Sequence, residues 1–443
     1  MGVRRPAPAG GSYPSTPGRG RGSVSRPVLL GVAAVSLGAA AFAALAREGP
    51  DARAAGHDAR ADGHDTGAPA PDIRSPGRAG GLLAAAPADS SFAGLIARLS
   101  GEGAYFDTDN LISNETSYLH VAARLRALRA PGLGYIGVGP DQNFSYIAAL
   151  RPEISFILDI RRDNLLQHLL LKAVMEASPD RASYLAALFG RPAPPDSLRE
   201  DGADLAAILD WVAATPAPAS PGEEAAWPGL PPGLESRIAG FGLDLPPAET
   251  AAIARFHREF VQAGPGLRFR SHGRAPRWYY PTYRELLLER DERGRLASYL
   301  ASEADYRFVR ALQERDLIVP VVGDFAGPHA LRAIGEELRR RGLAVGAFYT
   351  SNVEFYLYEQ RAFERYAASV ATLPAAPGAV LVRSYFHRGR PHADTRPGYA
   401  STQLLQPLGA FVEGAAAGAF GSYPALIYGP APRARRDGTG SPR

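Results

Sequence analysis

The sequence predicts an α/β domain on a doubly wound, mostly parallel sheet, and three observations carry that expectation. Short apolar stretches alternate with helical segments between residues 134 and 385. One of them, residues 154–160, is hydrophobic almost throughout, as a parallel strand covered on both faces must be. Four of these strands end in glycine or polar residues, at 137–143, Asp159, 323–324 and 351–354. In open parallel sheets the carboxyl ends of the strands are where ligands bind.

Composition sets the outer bounds. The chain has 443 residues, 46% of them hydrophobic, enough to bury a substantial core. Lys172 is the single lysine, so the positive charge is almost all arginine. The net charge of +4 is small for this length and partly concentrated near the N-terminus, so no nucleic-acid partner is expected. Without cysteine there is no disulfide, thiolate metal site or cysteine nucleophile.

Residues 1–27 are rich in Pro, Gly, Ser and Arg and read as a disordered basic N-terminus. Residues 28–46 carry no charge and approach the length of a membrane-spanning helix. The run ends Ala44-Leu45-Ala46, a small-residue pattern that also suits signal cleavage. Either way the arginines ahead of it predict an N-terminus inside and a domain that is membrane-anchored or exported. The competing readings are a core helix or a misassigned start. Residues 47–90 lack periodicity and read as a disordered linker, as does the tail at 430–443.

The folded region is expected at 91–429. Residues 92–99 have helical spacing, and 118–130 a longer helix with Ser113 or Asn114 as candidate caps. Residues 134–139 form a strand running into glycines, Asp141 starts a helix over 144–150, and 154–160 is the second strand. Residues 163–177 predict an amphipathic helix with Leu165, Leu166, Leu169, Leu170 and Val174 on its apolar side. Residues 180–275 read as a helical insertion, with helices at 184–189, 205–213 and 251–262. Alternation then resumes: helix 304–314, strand 317–324, helix 328–341, strand 344–349, helix 353–369 and strand 379–385.

Candidate site residues follow from the strand ends. Gly137 and Gly139 lack a Cβ and let backbone amides approach a ligand. Asp159 follows Gly139 by about twenty residues, the spacing at which an acid meets a ribose hydroxyl pair. The competing reading is a shaped turn, with Asp159 paired to Arg161. Asp324 could contact a base. Ser351, Asn352 and Glu354 read either as functional, with Glu354 a general base, or as helix caps. Tyr105, Asp107, Asp109, Asn110, Asn114 and Glu115 form a polar-aromatic segment that either closes over a ligand or is a solvated loop. His168 sits on a helix, and His329, His387 and His392 have no metal-like spacing, so no metal is expected. No Gly-x-Ser-x-Gly elbow or P-loop is present, against a typical serine hydrolase or NTPase.

Two resemblances attach to these residues. The run Tyr-Ile-Gly-Val-Gly-Pro-Asp-Gln-Asn at 135–143, Phe-Ile-Leu-Asp-Ile-Arg-Arg-Asp at 156–163, and the stretches 318–326 and 350–357 resemble a bacterial family of uncharacterised proteins, over roughly residues 91–385. More distantly the chain resembles the Rossmann-like class I S-adenosylmethionine-dependent methyltransferases. That resemblance implies S-adenosylmethionine as cofactor. Gly137 and Gly139 then match the glycine loop, with Asp141 and Asn143 completing it. Asp159 matches the ribose acid, Asp324 the adenine-side acid and Ser351-Asn352 the catalytic loop, with Glu354 or Tyr105 as base. The chain departs from the pattern at Tyr135, where an acid is usual, and at Asp141, where a third glycine is usual, and it has no Asn-Pro-Pro-Tyr motif. The functions expected are methyl transfer or, on the same fold without catalysis, binding of a small-molecule ligand or a structural role. A nicotinamide oxidoreductase is a third, against which Gln142 counts.

Overall fold

Six strands make one sheet: β1 (Leu133–Gly137), β2 (Ile154–Asp159), β3 (Ile318–Val322), β4 (Ala344–Ser351), β5 (Ala375–Phe386) and β6 (Ser401–Pro407). Their order is β3-β2-β1-β4-β5-β6, with β6 antiparallel to β5 and every other pair parallel. The computed structural model describes residues 91–106, 108, 110–217, 230–271, 275–387 and 389–429, all within the compact unit Leu82–Arg443. The N-terminus, the apolar run at 28–46, the linker, Asp107, Asp109 and the tail lie outside the described residues. Among the described residues, no helix is long and apolar enough to cross a membrane.

The expected doubly wound α/β sheet is the observed one. Every residue of β1, β2 and β3 is buried, because helices cover both faces and leave no polar side for the strands to alternate with. The chain winds from β1 through β2 to β3 on one side, then returns to β4 beside β1. The strand order therefore reverses between β1 and β4, which opens a crevice beyond their carboxyl ends.

Three helices differ from expectation, each for a local reason. Helix Arg162–Glu176 is buried on all sides from Asn164 to Met175 rather than amphipathic. The insertion helices Pro232–Ala239 and Pro247–Ala263 cover its outer face, and Lys172 is neutralised there by Glu176 at 2.6 Å and Asp316 at 2.7 Å. The expected helix at 118–130 is a 3-10 turn, Tyr118–Val121, leading into Ala122–Ala127. Ser113 does not cap it; its hydroxyl accepts the Glu115 N–H at 3.1 Å. The stretch 353–369 is two helices, Val353–Glu359 and Phe363–Val370, broken at Arg361 with φ +55°.

β6 carried no strand signal. Ser401, Thr402 and Gln403 are polar yet buried, so the residues facing the protein interior look in sequence like a surface segment.

Candidate functional site

The loop after β1 is held by its own side chains. Asn143 is the second residue of helix Gln142–Leu150 and donates its amide to the carbonyls of Val138 at 2.9 Å, Gly139 at 3.3 Å and Pro140 at 2.7 Å. Its amide oxygen accepts the Tyr135 hydroxyl at 2.7 Å. Burial pushes His168 down to about 4, so the neutral ring donates Nε2–H to the Gly139 carbonyl at 3.0 Å. A Cβ on Gly137 would lie 2.0 Å from Asn143 Oδ1. Gly137 therefore makes room for the clamp, whereas Gly139, at φ +86°, makes the turn itself.

Beyond this loop lies a cavity of about 440 Å³ at the carboxyl ends of β1 to β4, within the roughly 300–1,000 Å³ range of small-molecule sites. Gly139, Asp159, Asp324, Ser351 and Asn352 all line it. Two irregular segments roof it. The first contributes Phe106, Thr108, Asn110 and residues 113–115, the second Phe269, Ser271 and residues 277–280, and a bridge between Thr108 and Ser271 joins them. The first segment reaches the site because residues 100–104 lie across the strand ends: Gly101 N–H bonds the Val322 carbonyl and Ala104 N–H that of Ile160, both at 2.8 Å. Asn110 and Ser351, both on the cavity, hold φ of +46° and +52°. Such backbone costs a non-glycine residue roughly 1–3 kcal/mol and clusters where ligands bind.

Polar groups on the cavity are arranged in two centres. At one, Asp159 is gripped by Arg161, whose Nε lies 3.1 Å from Oδ1 and whose Nη2 lies 2.8 Å from Oδ2; the Arg161 N–H adds a third bond at 2.9 Å. Asp159 thus lines the cavity and pairs with Arg161 as well. At the other centre, Glu115 is buried and accepts the Tyr349 hydroxyl at 2.5 Å, the Gln403 amide at 3.1 Å and the hydroxyls of Ser351 and Ser384. Asn110 and Asn114 line the cavity beside Glu115. Asn352 is at the N-cap position of Val353–Glu359 without a side-chain cap bond, and Ser351 gives its hydroxyl to Glu115, so neither residue caps that helix.

Five candidates do not line the cavity: Gly137 and Asn143, which belong to the clamp behind the loop, and Glu354, Tyr105 and Asp141. Glu354 does not line the cavity; it is buried in a two-pronged pair with Arg383, at 2.6 and 3.0 Å, with the Tyr366 hydroxyl at 3.3 Å. It is a structural ion-pair member in this geometry rather than a free base. Tyr105 is 80% exposed and off the cavity. Asp141 is buried behind the loop, where it accepts the hydroxyls of Tyr283 and Tyr299. Sequence reasoning passed over several cavity residues: Arg161 as a lining group, Gln142 as a polar one, and the aromatic run Trp278-Tyr279-Tyr280 after Arg277. Three successive aromatics in a segment without periodicity were the available signal. Among the described residues, no group of three or more His, Asp and Glu side chains is placed to hold a metal.

Two stability measurements check these placements. Glu354→Ala strands Arg383 in the interior and should cost about 3–5 kcal/mol in urea unfolding; a cost under about 1 kcal/mol would contradict the pairing. Burial pushes the Asp141 carboxyl from 3.8 up to about 6. The folded protein therefore holds an extra proton between those values, and ionisation of this group lowers stability as pH rises through them. Asp141→Asn removes that loss, so its stability relative to wild type should rise between pH 4 and pH 7. A difference that stays constant with pH would refute this assignment.

No curated protein matches the chain. A family model does match it, over residues 111–192 and 270–413. The two matched stretches carry all six strands and Glu115, and the interval between them carries helices Leu205–Ala214, Pro232–Ala239 and Pro247–Ala263. The family is described as a domain of unknown function, and the chain belongs to it: the DUF7790 family.

Proposed function

We propose that the domain binds a nucleoside-containing small molecule in the crevice between β1 and β4, with S-adenosylmethionine the candidate occupant and methyl transfer the candidate reaction. One observation carries the reading. Gly139, Asp159, Asp324, Ser351 and Asn352, from four different strand ends, meet on a single cavity at the point where the strand order reverses. Val138, Ile160 and Phe325 offer apolar surface beside them for a base. Catalysis in such a site would rest on positioning donor and acceptor. Asn352 is the proposed residue nearest that role, since its side chain lines the cavity and is not used as a cap.

A second reading is a binding protein without turnover, and two observations favour it. Both carboxylate oxygens of Asp159 are already engaged by Arg161, and Glu354 is consumed by Arg383. The proposed setting at or beyond a membrane, by way of residues 28–46, points the same way, because methyl donors are cytosolic. Calorimetric titration with S-adenosylmethionine and S-adenosylhomocysteine, with Asp159→Ala and Asn352→Ala in parallel, tests the first reading. Saturable heat that weakens about tenfold or more in Asp159→Ala is expected. No heat at millimolar ligand would overturn the methyl-donor reading and leave the second.

A further inference from the structure

Among the described residues, eight carboxylate side chains are buried. Six of them pair with an arginine. Asp141 is held by two tyrosines behind the loop, away from the cavity. Glu115 alone is buried, lines the cavity and has no arginine, lysine or histidine within ion-pair distance among the described residues. Neutral donors from β4, β5 and β6 surround it: Tyr349, Ser351, Ser384 and Gln403. Three of these bonds fall on Oε2, and Ser351 alone is bonded to Oε1. Oε1 retains capacity for a further donor.

A second acceptor stands beside it. Gln142 lines the cavity at 7% exposure, and its Oε1 is buried without a hydrogen-bond partner among the described residues. Its Nε2 donates to the Tyr349 hydroxyl at 3.3 Å, and that same hydroxyl donates to Glu115. Tyr349 thus links the two acceptors and fixes the Gln142 amide with its oxygen free. A buried acceptor left without a donor is costly and rare, and a carboxylate held only by neutral dipoles is an incomplete ion pair. One group meets both needs: a protonated amine, which brings a positive charge and several N–H donors together. A quaternary ammonium would bring only the charge. Phe106, Trp278 and Tyr356 on the same cavity offer ring faces to a cation or to its apolar body.

We propose that this cavity takes a ligand bearing a protonated primary or secondary amine, seated between Glu115 and the Gln142 amide oxygen. The inference rests on the cavity being a ligand site, as in the proposed function, but not on the methyl donor. The amine belongs either to the amino-acid portion of an adenosyl ligand or to a separate substrate.

The test uses the full chain and two probes of nearly equal shape, phenethylamine and 2-phenylethanol, titrated calorimetrically at pH 7. The amine should bind at least roughly tenfold more tightly than the alcohol, a comparison that requires no variant. Glu115→Gln should abolish that preference. Gln142→Met, which leaves the carboxylate network in place, should weaken the amine several-fold and leave the alcohol unchanged. Equal affinities for the two probes, no binding of the amine, or an undiminished preference in Glu115→Gln would each overturn the proposal. S-adenosylhomocysteine added to the amine-saturated protein separates the sources: displacement places the amine pocket within the adenosyl site, and simultaneous binding assigns it to a second substrate. If the amine binds while neither adenosyl compound does, the methyl-donor reading fails and this one stands.

Discussion

One buried carboxylate organises the functional end of the sheet. Glu115 comes from an irregular segment ahead of the first strand, yet it receives hydrogen bonds from β4, β5 and the antiparallel β6. Hydrogen bonds to a charged group are worth more than neutral ones, roughly 1.5–3 kcal/mol each. The cluster fixes the roofing segment against the strand ends and places Ser351 in its left-handed conformation at the cavity. The same carboxylate is the negative wall of that cavity. On the proposed reading, architecture and recognition depend on one side chain, which couples the shape of the pocket to its charge.

The loop after β1 is set by a different device. Asn143 and His168 hold the carbonyls at 138–140 from behind, and Tyr135 holds Asn143. Two neighbouring residues, Tyr135 and Asp141, have structural roles of their own. The Tyr135 hydroxyl braces Asn143. Asp141 anchors two tyrosines of the segment leading to β3. The loop is thus shaped by side chains packed beneath it, and its outer surface is left to the cavity.

Much of the sheet was legible because burial on both faces writes itself as uninterrupted hydrophobic sequence, as at Ile154–Asp159. The strand ends were legible for the same reason in reverse: polar residues interrupt an apolar run only where the strand leaves the core. β6 was not legible, because Ser401, Thr402 and Gln403 are buried through hydrogen bonds rather than through hydrophobicity. Glu354 looked like a base at a strand end, and only the fold shows that Arg383, 29 residues further on, is aimed at it. Glu115 was visible as part of a polar segment, but its isolation from any cation among the described residues is a tertiary property. So is the distinction between Gly137, which accommodates Asn143, and Gly139, which turns the chain.

On the proposed reading, Glu115 and the Gln142 amide oxygen form an acceptor pair on the cavity for a protonated amine. A crystal structure of the protein grown with phenethylamine tests it most directly. The account predicts the ammonium nitrogen within hydrogen-bond distance of Glu115 and Gln142 Oε1, with the ring against the aromatic wall. Density for the amine elsewhere, or an arginine folded onto Glu115 in its place, would contradict it.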